Sequence, residues 1–550
     1  MRLTRPPSLR RDRLARPAGR AALAAACGIC LWASFPPLGW WPAAVVGVAG
    51  FTLLVRTSHW RGALGLGYAF GVGFWVPLLS FLHDQIGIAA WAAVVIIESL
   101  WLAAQGLALH LTARLRWWPL AGALLWVVQE FARDRWPFGG FPWGRLAFGQ
   151  AGGPLLHLAA VGGAPLVTFA VALAGGLLGY AVLHVRRPVL GIAAVAGIAV
   201  VAASPLAVGL PTAGTDSGGP ASAVIAAVQG NVPRLGLAEF AQRRAVTSYH
   251  LAETQRLAAL VQAGRLPRPD LVIWPENASD LDPRLDALSR ATIDAAAQAV
   301  GVPLLVGAVL NGPGPNHVRN AAIVWSPQTG PGQIYIKRHL VPFGEYLPFR
   351  SLVTKLSSKF SLVPRDFVPG HRPGTLTAGP VRLADAICFE VADDAVVRQA
   401  VTGGGRILVV QTNNADYEQP GDSGSGGETA QQLAISRLRA VEHGRAVVVA
   451  ATSGVSAMIA PDGRVLARTD VYTPALLDRR LPLRDPLTIA DRLGPAPEWG
   501  LSAAGLLALL LAIAQLRWQK PRPQVEGTDD AAEIRPTSST SPGATQPAAR

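Results

Sequence analysis

Lysine is almost missing from this 550-residue chain: of 49 basic residues only Lys337, Lys355, Lys359 and Lys520 are lysine. A chain that writes arginine nearly everywhere has reason to keep a lysine where chemistry needs a compact ammonium, which a planar guanidinium does not replace. Cysteine is scarcer still, at three residues. Cys27 and Cys30 lie in an apolar run, where small buried thiols need no function. Their CxxC spacing has no second pair with which to build a metal site. Cys388 is then the single cysteine outside the apolar runs, which excludes an internal disulfide in that part of the chain. Charge is thin as well: 15% of residues are Asp, Glu, Lys or Arg, against about 25% in soluble domains. With 50% hydrophobic residues and a mean hydropathy of +0.31, the composition is that of a membrane protein. The length exceeds what one compact core accommodates, so two or more domains with tails are expected.

What the sequence has in abundance is apolar runs of about twenty residues, which read as membrane-spanning helices. They fall at 20–34, 41–56, 62–82, 86–109, 117–132, 161–184, 188–209 and 501–517. The first lacks a small-residue cleavage site and reads as an uncleaved anchor. Seven arginines crowd the first twenty residues of a chain whose net charge is +14. Nucleic-acid binding would need a basic face on a folded domain; here the cluster abuts an apolar run, as the positive-inside rule requires of a cytoplasmic end. No nucleic-acid partner is expected. Arg56 and Arg61, Arg114 and Arg116, Arg186 and Arg187, and finally Arg517, Lys520 and Arg522 all fall on the same, inner side.

The predicted organisation follows. A basic cytoplasmic N-terminus (1–19) leads to seven transmembrane helices (20–209) and a Gly/Thr/Ser/Pro linker (210–222). An outward-facing domain (223–485), an eighth transmembrane helix (501–517) and a disordered cytoplasmic tail (518–550) complete the chain. One outward connection, 133–145, breaks the charge rule by carrying arginine at both ends. Two acids lie within the apolar helices, where ionisable groups are costly. Structural pairing is the expected role of both Glu98 and Glu130, the latter with Arg133 one turn on.

The large domain alternates short apolar strands with helical stretches. The strands expected are Val224–Val228, Leu271–Ile273, Leu304–Val309, Ala321–Trp325, Ile334–Ile336, Ala384–Ile387, Ile407–Val410 and Val447–Ala451. Continuous apolar strands of this kind are buried on both faces, as in α/β layers. Three chemically capable residues stand at strand ends, where α/β folds build their sites. Glu276 ends LVIWPEN (271–277), after a proline that stops the strand. Lys337 follows IYIK and opens RHLVPFGEYLPFR (338–350), 61 residues beyond Glu276. Cys388 closes the strand in RLADAICFE (382–390), a further 51 residues on. A thiol needs a base to make it a thiolate and a cation or donors to hold the oxyanion it creates. A carboxylate, an ammonium and a thiol meet those needs.

In this order WPEN, K-x-H-L-V-P-F-G-E-Y-x-P and I-C-F-E resemble the Glu-Lys-Cys set of the nitrilase superfamily, and within it the apolipoprotein N-acyltransferase family. PFGGFPWG (137–144), QGNVP (229–233) and SRLRAVEHGR (436–445) are similar to that family too, so the likeness runs from about 20 to 515. The resemblance implies a polytopic α-helical membrane domain carrying an extracytoplasmic α/β domain, an αββα nitrilase-like sandwich, in the bacterial plasma membrane. It implies ping-pong acyl transfer from a phospholipid donor, through a thioester on Cys388, to the α-amino group of a diacylated apolipoprotein. Membrane lipids are its surroundings, and neither a cofactor nor a metal is expected. Glu276 is then the general base and Lys337 the oxyanion donor. Glu345 orients Lys337 or the substrate, and Glu390 matches a further family glutamate.

The sequence departs from the family in places. Phe389 stands where tyrosine is usual, and no tryptophan follows QGN, where Leu235, Leu237 and Phe240 occur. The loop Asn413-Asn414-Ala415-Asp416-Tyr417 is altered and followed by a glycine-rich insertion, 421–427. With the arginine and alanine bias these point to a divergent branch of high-GC Gram-positive type. A membrane-tethered amidase or nitrilase-type hydrolase would share the three residues, but seven preceding helices exceed what a tether needs. A non-enzymatic scaffold would have no reason to keep them.

Overall fold

The computed structural model describes residues 7–210, 222–232, 239–351, 354, 365–414 and 427–518. Lys355, Lys359 and Lys520, the linker at 211–221, Leu235 and Leu237, residues 415–426 and the tail from 519 lie outside the described residues.

The N-terminal half is helical: α1 (Pro7–Trp32), α2 (Pro42–Arg56), α3 (Trp60–Leu78), a short α4 (Leu82–Ile86), α5 (Ile88–Thr112), α6 (Trp118–Arg133), α7 (Ala159–Leu183) and α8 (Pro188–Ala203). Apart from α4, each overlaps one of the expected apolar runs. Among the described residues, Ile88–Thr112, Pro154–Leu183, Pro188–Ala207 and Ala496–Leu516 are long and apolar enough to cross a membrane. Small residues let these helices approach closely, as in membrane bundles. A Cβ on Gly73 of α3 would lie 2.1 Å from the Ala25 carbonyl oxygen of α1.

The C-terminal half folds as strands β1 (Ser222–Gln229), β2 (Leu271–Ile273), β3 (Leu304–Asn311), β4 (His317–Ser326), β5 (Gly330–Ile336), β6 (Asp366–Phe367), β7 (Thr375–Ala378), β8 (Val381–Ile387), β9 (Ile407–Thr412), β10 (Val447–Ala451), β11 (Ala457–Ile459), β12 (Val465–Arg468) and β13 (Ala475–Pro482). Its helices are α9 (Glu239–Gln262), α10 (Ala287–Val300), α11 (Asp394–Thr402), α12 (Gly427–His443), a one-turn α13 (Ile489–Leu493) and the closing α14 (Ala496–Trp518). Every expected strand is present. One sheet has the order β13-β1-β2-β3-β4-β5, with β6 beside β4, and the other β12-β11-β10-β9-β8-β7.

The two sheets bury a common apolar layer that includes Ile225, Ile273, Leu305, Ile387, Val409 and Val448. The outer face of the first sheet is covered by α9 and α10 through Leu257, Ile293 and Ala297. Local signals set the helix ends. Asp286 caps α10 by accepting from the Ser289 N–H, and Gly301 ends it in the left-handed region at φ +67. The outer face of the second sheet packs on α11 and α12, and that apolar cluster continues without a break into the membrane helices, from Val449 and Leu438 to Phe148 and Phe70. The layers therefore run αββα, with the last one seated on the helical half.

The connection after α6 explains its broken charge rule. Arg133 and Arg145 are not solvated loop charges; both are buried. The expected Glu130–Arg133 pair is not formed. Arg133 Nη1 donates to the carbonyls of Phe141 at 2.5 Å and Trp143 at 2.6 Å, and lies 3.7 Å from Glu98. Glu130 faces the other way and accepts from the Thr168 hydroxyl at 2.7 Å, the Leu146 N–H at 2.8 Å and Arg145 Nε at 3.3 Å. A buried charge needs partners wherever it finds them, and here the folded-back loop supplies them better than the next turn of helix does.

Candidate active site

Strands β2, β5 and β8 bring their C-terminal residues together. Pro275 ends β2, leaving Glu276 buried. Antiparallel pairing of Ala321 with Ile336 sets Asn320 beside Lys337, whose N–H donates to the Asn320 carbonyl at 2.9 Å. The Lys337 ammonium is 1% exposed and sits between two carboxylates, 2.9 Å from Glu345 Oε1 and 3.3 Å from Glu276 Oε1. Burial disfavours the ammonium. Glu345 and Glu276 outweigh that effect and hold Lys337 well above the usual lysine value, so it stays charged.

Cys388 follows β8 at φ +54, in the left-handed region that non-glycine residues rarely adopt. The bend starts a short 3₁₀ turn, Cys388–Ala392, and leaves the thiol half-buried. Gln432 Nε2 on α12 donates to Sγ at 3.6 Å. Burial, with the Glu276 carboxylate added, pushes the thiol well above the ordinary range, against the pull of the Lys337 ammonium. At rest the sulfur therefore keeps its proton, and attack requires a base.

Glu276 is fixed at three points. Oε1 accepts from Asn320 Nδ2 at 2.6 Å and from Lys337; Oε2 accepts from the Asn413 N–H at 2.9 Å. Glu345 takes a second bond from Asn320 Nδ2 at 3.1 Å and one from the Val341 N–H at 2.8 Å. Glu390 makes no bond to this trio. It accepts from the Ile387 N–H at 2.8 Å, the Arg338 N–H at 2.6 Å, the His339 N–H at 3.1 Å and the Tyr335 hydroxyl at 2.8 Å. Its carboxyl ties the cysteine turn to the segment after Lys337, and burial pushes its pKa up against those donors.

The sequence reading singled out Glu276, Lys337, Cys388, Glu345 and Glu390, and the structure gathers all five. It missed Asn320, which donates to both Glu276 and Glu345. A single amide inside the strand HVRNAAIVWS was the signal, since buried polar side chains are there to be hydrogen-bonded. It also missed Gln432, whose helix carried no chemical cue. Phe389 stacks on both Phe141 and Trp143 of the membrane half, each ring centroid 5.9 Å away.

Comparison with known proteins covers both halves. Residues 27–177 match the apolipoprotein N-acyltransferase N-terminal domain and residues 225–485 the carbon-nitrogen hydrolase family. An apolipoprotein N-acyltransferase of Mycolicibacterium smegmatis is 44% identical over 88% of this chain and 84% of its own length. One of Azotobacter vinelandii is 31% identical over 91% of this chain and 95% of its own. Among solved structures, an amidase from Nesterenkonia sp. aligns at 20% identity with a TM-score of 0.36, covering 50% of this chain and 93% of that one. On identity and coverage together, the chain belongs to the apolipoprotein N-acyltransferase family.

Proposed function

We propose that this acyltransferase moves a fatty acyl chain from a membrane phospholipid, through a thioester on Cys388, to the α-amino group of diacylglyceryl-cysteine at the N-terminus of an apolipoprotein. One observation carries the assignment of roles: a buried ammonium held between two carboxylates, in the cluster where the Cys388 bend places the thiol. Glu276 takes the thiol proton as sulfur attacks the ester carbonyl. Lys337 holds the oxyanion, and the proton returns to the departing glycerol oxygen, so a lysophospholipid leaves. In the second half the amine attacks the thioester, Glu276 takes its proton, and the thiol is restored as the amide forms. Glu345 orients Lys337, and Glu390 positions the cysteine turn.

The eight helices that coincide with apolar runs are read as spans in the plasma membrane: seven within 20–209 and the last at 501–517. They frame an outward-facing catalytic domain at 223–485. The linker and the cytoplasmic tails complete this organisation.

The experiment is intact-mass spectrometry of purified protein mixed with phospholipid and no amine acceptor. A mass gain of one acyl group that hydroxylamine reverses and Cys388→Ser abolishes is expected. Transfer of acyl chains by a protein whose Cys388 stays unmodified would sink the covalent route.

A further inference from the structure

The sandwich holds Glu276 and Lys337 and ties the Cys388 turn through Glu390; that turn is also braced from the membrane half, by the stretch from Phe141 to Arg145. On one side Phe389, next to the thiol, stacks on the Phe141 and Trp143 rings, nearly parallel to Trp143 at 9°. Trp143 Nε1 donates to Gln431 Oε1 at 2.7 Å, and Gln431 Nε2 donates to the Leu78 carbonyl of α3 at 2.9 Å. The next residue on that helix is Gln432, which reaches Sγ.

On the other side the grip is ionic. Arg439 is fully buried and donates Nε to the Val391 carbonyl at 2.7 Å and Nη2 to the Ala392 carbonyl at 2.8 Å. These are the last two residues of the cysteine turn. Arg439 pairs with Asp394 at 2.7 Å, and Asp394 receives Arg145 Nη1 at 2.9 Å on each oxygen. Arg145 is itself anchored to Glu130, between α6 and the Thr168 hydroxyl of α7.

We propose that Trp143 and Arg145 are positioning residues for the Cys388 thiol, so that the membrane half sets the geometry of the nucleophile as well as serving lipid. The inference rests on the reading of Cys388 as nucleophile. Three features distinguish such a grip from simple adhesion between halves. Its two polar arms seat on Gln431 and Asp394, and each passes to the cysteine turn through a neighbour, Gln432 at the thiol and Arg439 at the end of the turn. It reaches that turn near its start, at Phe389 directly, and at its end, at Val391 and Ala392 through Arg439. And it surrounds a residue in the left-handed region, a conformation that persists only where its surroundings over-determine it.

The test uses full-length protein in detergent and two small water-soluble probes that need no lipid site. Iodoacetamide alkylation of Cys388 is followed across pH by peptide mass spectrometry, and acylation by p-nitrophenyl acetate is followed by nitrophenol release. Arg145→Gln removes the ionic arm, while Trp143→Phe keeps the stack and deletes only the bond to Gln431, so the second variant retains its packing. Both are expected to slow acylation by roughly 10–100-fold, the cost of a displacement of about 1 Å in a reacting group. Both should also displace the pH profile of alkylation, and Arg145→Lys should recover part of the rate. Wild-type rates and profiles with both probes, alongside lost transfer from phospholipid, would overturn the proposal and leave the stretch a lipid-binding element. Absence in the wild type of any acylation that Cys388→Ser abolishes would instead overturn the nucleophile reading, and the positioning role with it.

Discussion

Lys337 carries its charge into a place from which water is almost removed, and its two carboxylate partners stand at hydrogen-bonding distance. Lys337→Arg keeps the charge but puts a larger plane where one nitrogen fits. Acyl transfer is expected to fall by about 10²–10³-fold, as for loss of one oxyanion donor. Overpacking should lower stability by about 1–3 kcal/mol. Transfer assays and thermal unfolding of the purified variant check both, with Lys355→Arg and Lys359→Arg as controls. The shortage of lysine in a chain of 45 arginines makes this residue legible from the sequence alone. Asn320 was legible only as a lone amide in an apolar strand, because its importance lies in two carboxylates, Glu276 and Glu345, that the fold brings to it. Asp385 was hidden for a different reason, its burial between the two sheets. It lies three residues before the thiol, its carboxyl oxygens find no partner, and burial, with Glu390 and Glu276 added, holds it well above the usual carboxylate range. A carboxyl raised in the fold contributes stability below its unfolded pKa, about 4, and loses it as pH rises through the folded value. Asp385→Asn is therefore expected to gain little in unfolding temperature near pH 4 and progressively more towards pH 8. A gain independent of pH would mean that Asp385 is ionised in the fold.

At the scale of strands and helices, what was legible was whatever is buried on both faces. β1, β2, β3, β9 and β10 are continuous apolar runs, because the inter-sheet layer covers one face and helices the other. β13 escaped notice: ALLDRRLP places Asp478, Arg479 and Arg480 in mid-strand, which an edge beside β1 tolerates and a central strand would not. β12, the edge of the second sheet, reads VLAR and is equally unmarked. The grip of the loop after α6 on the cysteine turn was invisible as well, since it depends on how two halves meet. Strand packing also fixes the bend that presents Glu276. A Cβ on Gly307 of β3 would lie 2.1 Å from the Pro275 carbonyl oxygen and 2.7 Å from Glu276 Cα, both backbone atoms that cannot swing aside. Gly307→Ala should displace the carboxylate and cut transfer by about 100-fold, at a stability cost of about 1–3 kcal/mol. Gly65, with nothing within 4 Å of its Cβ position, is the silent control. Full activity in Gly307→Ala would show that the end of β2 yields without cost.

Over the whole molecule, arginine marks both ends of the helices, but in different settings. Arg20 reaches the Leu54 carbonyl at 2.7 Å, and Arg56 bonds the Ala113 carbonyl and lies over the Trp118 ring at 5.0 Å. These contacts gather the ends of α2, α5 and α6 with their arginines on one side. At the other end Arg135 pairs with Glu498 at 2.6 Å, and the exposed Trp136 and Trp499 follow those two residues in the chain. Exposed tryptophans belong at either membrane–water boundary, and Trp60 is exposed at the arginine end too, so the orientation rests on the arginine-rich ends, which belong in the cytoplasm. The catalytic domain is then expected outside. Two single cysteines test this in a background lacking Cys27, Cys30 and Cys388. Leu285→Cys lies on the catalytic domain and Val185→Cys at the arginine-rich connection between α7 and α8; the parent residues are 70% and 78% exposed. A membrane-impermeant maleimide should label the first in intact cells and the second only after the membrane is opened. Labelling in the reverse order would turn the molecule over. It would put the thiol on the side where basic loops are retained and away from the acceptor proposed for it.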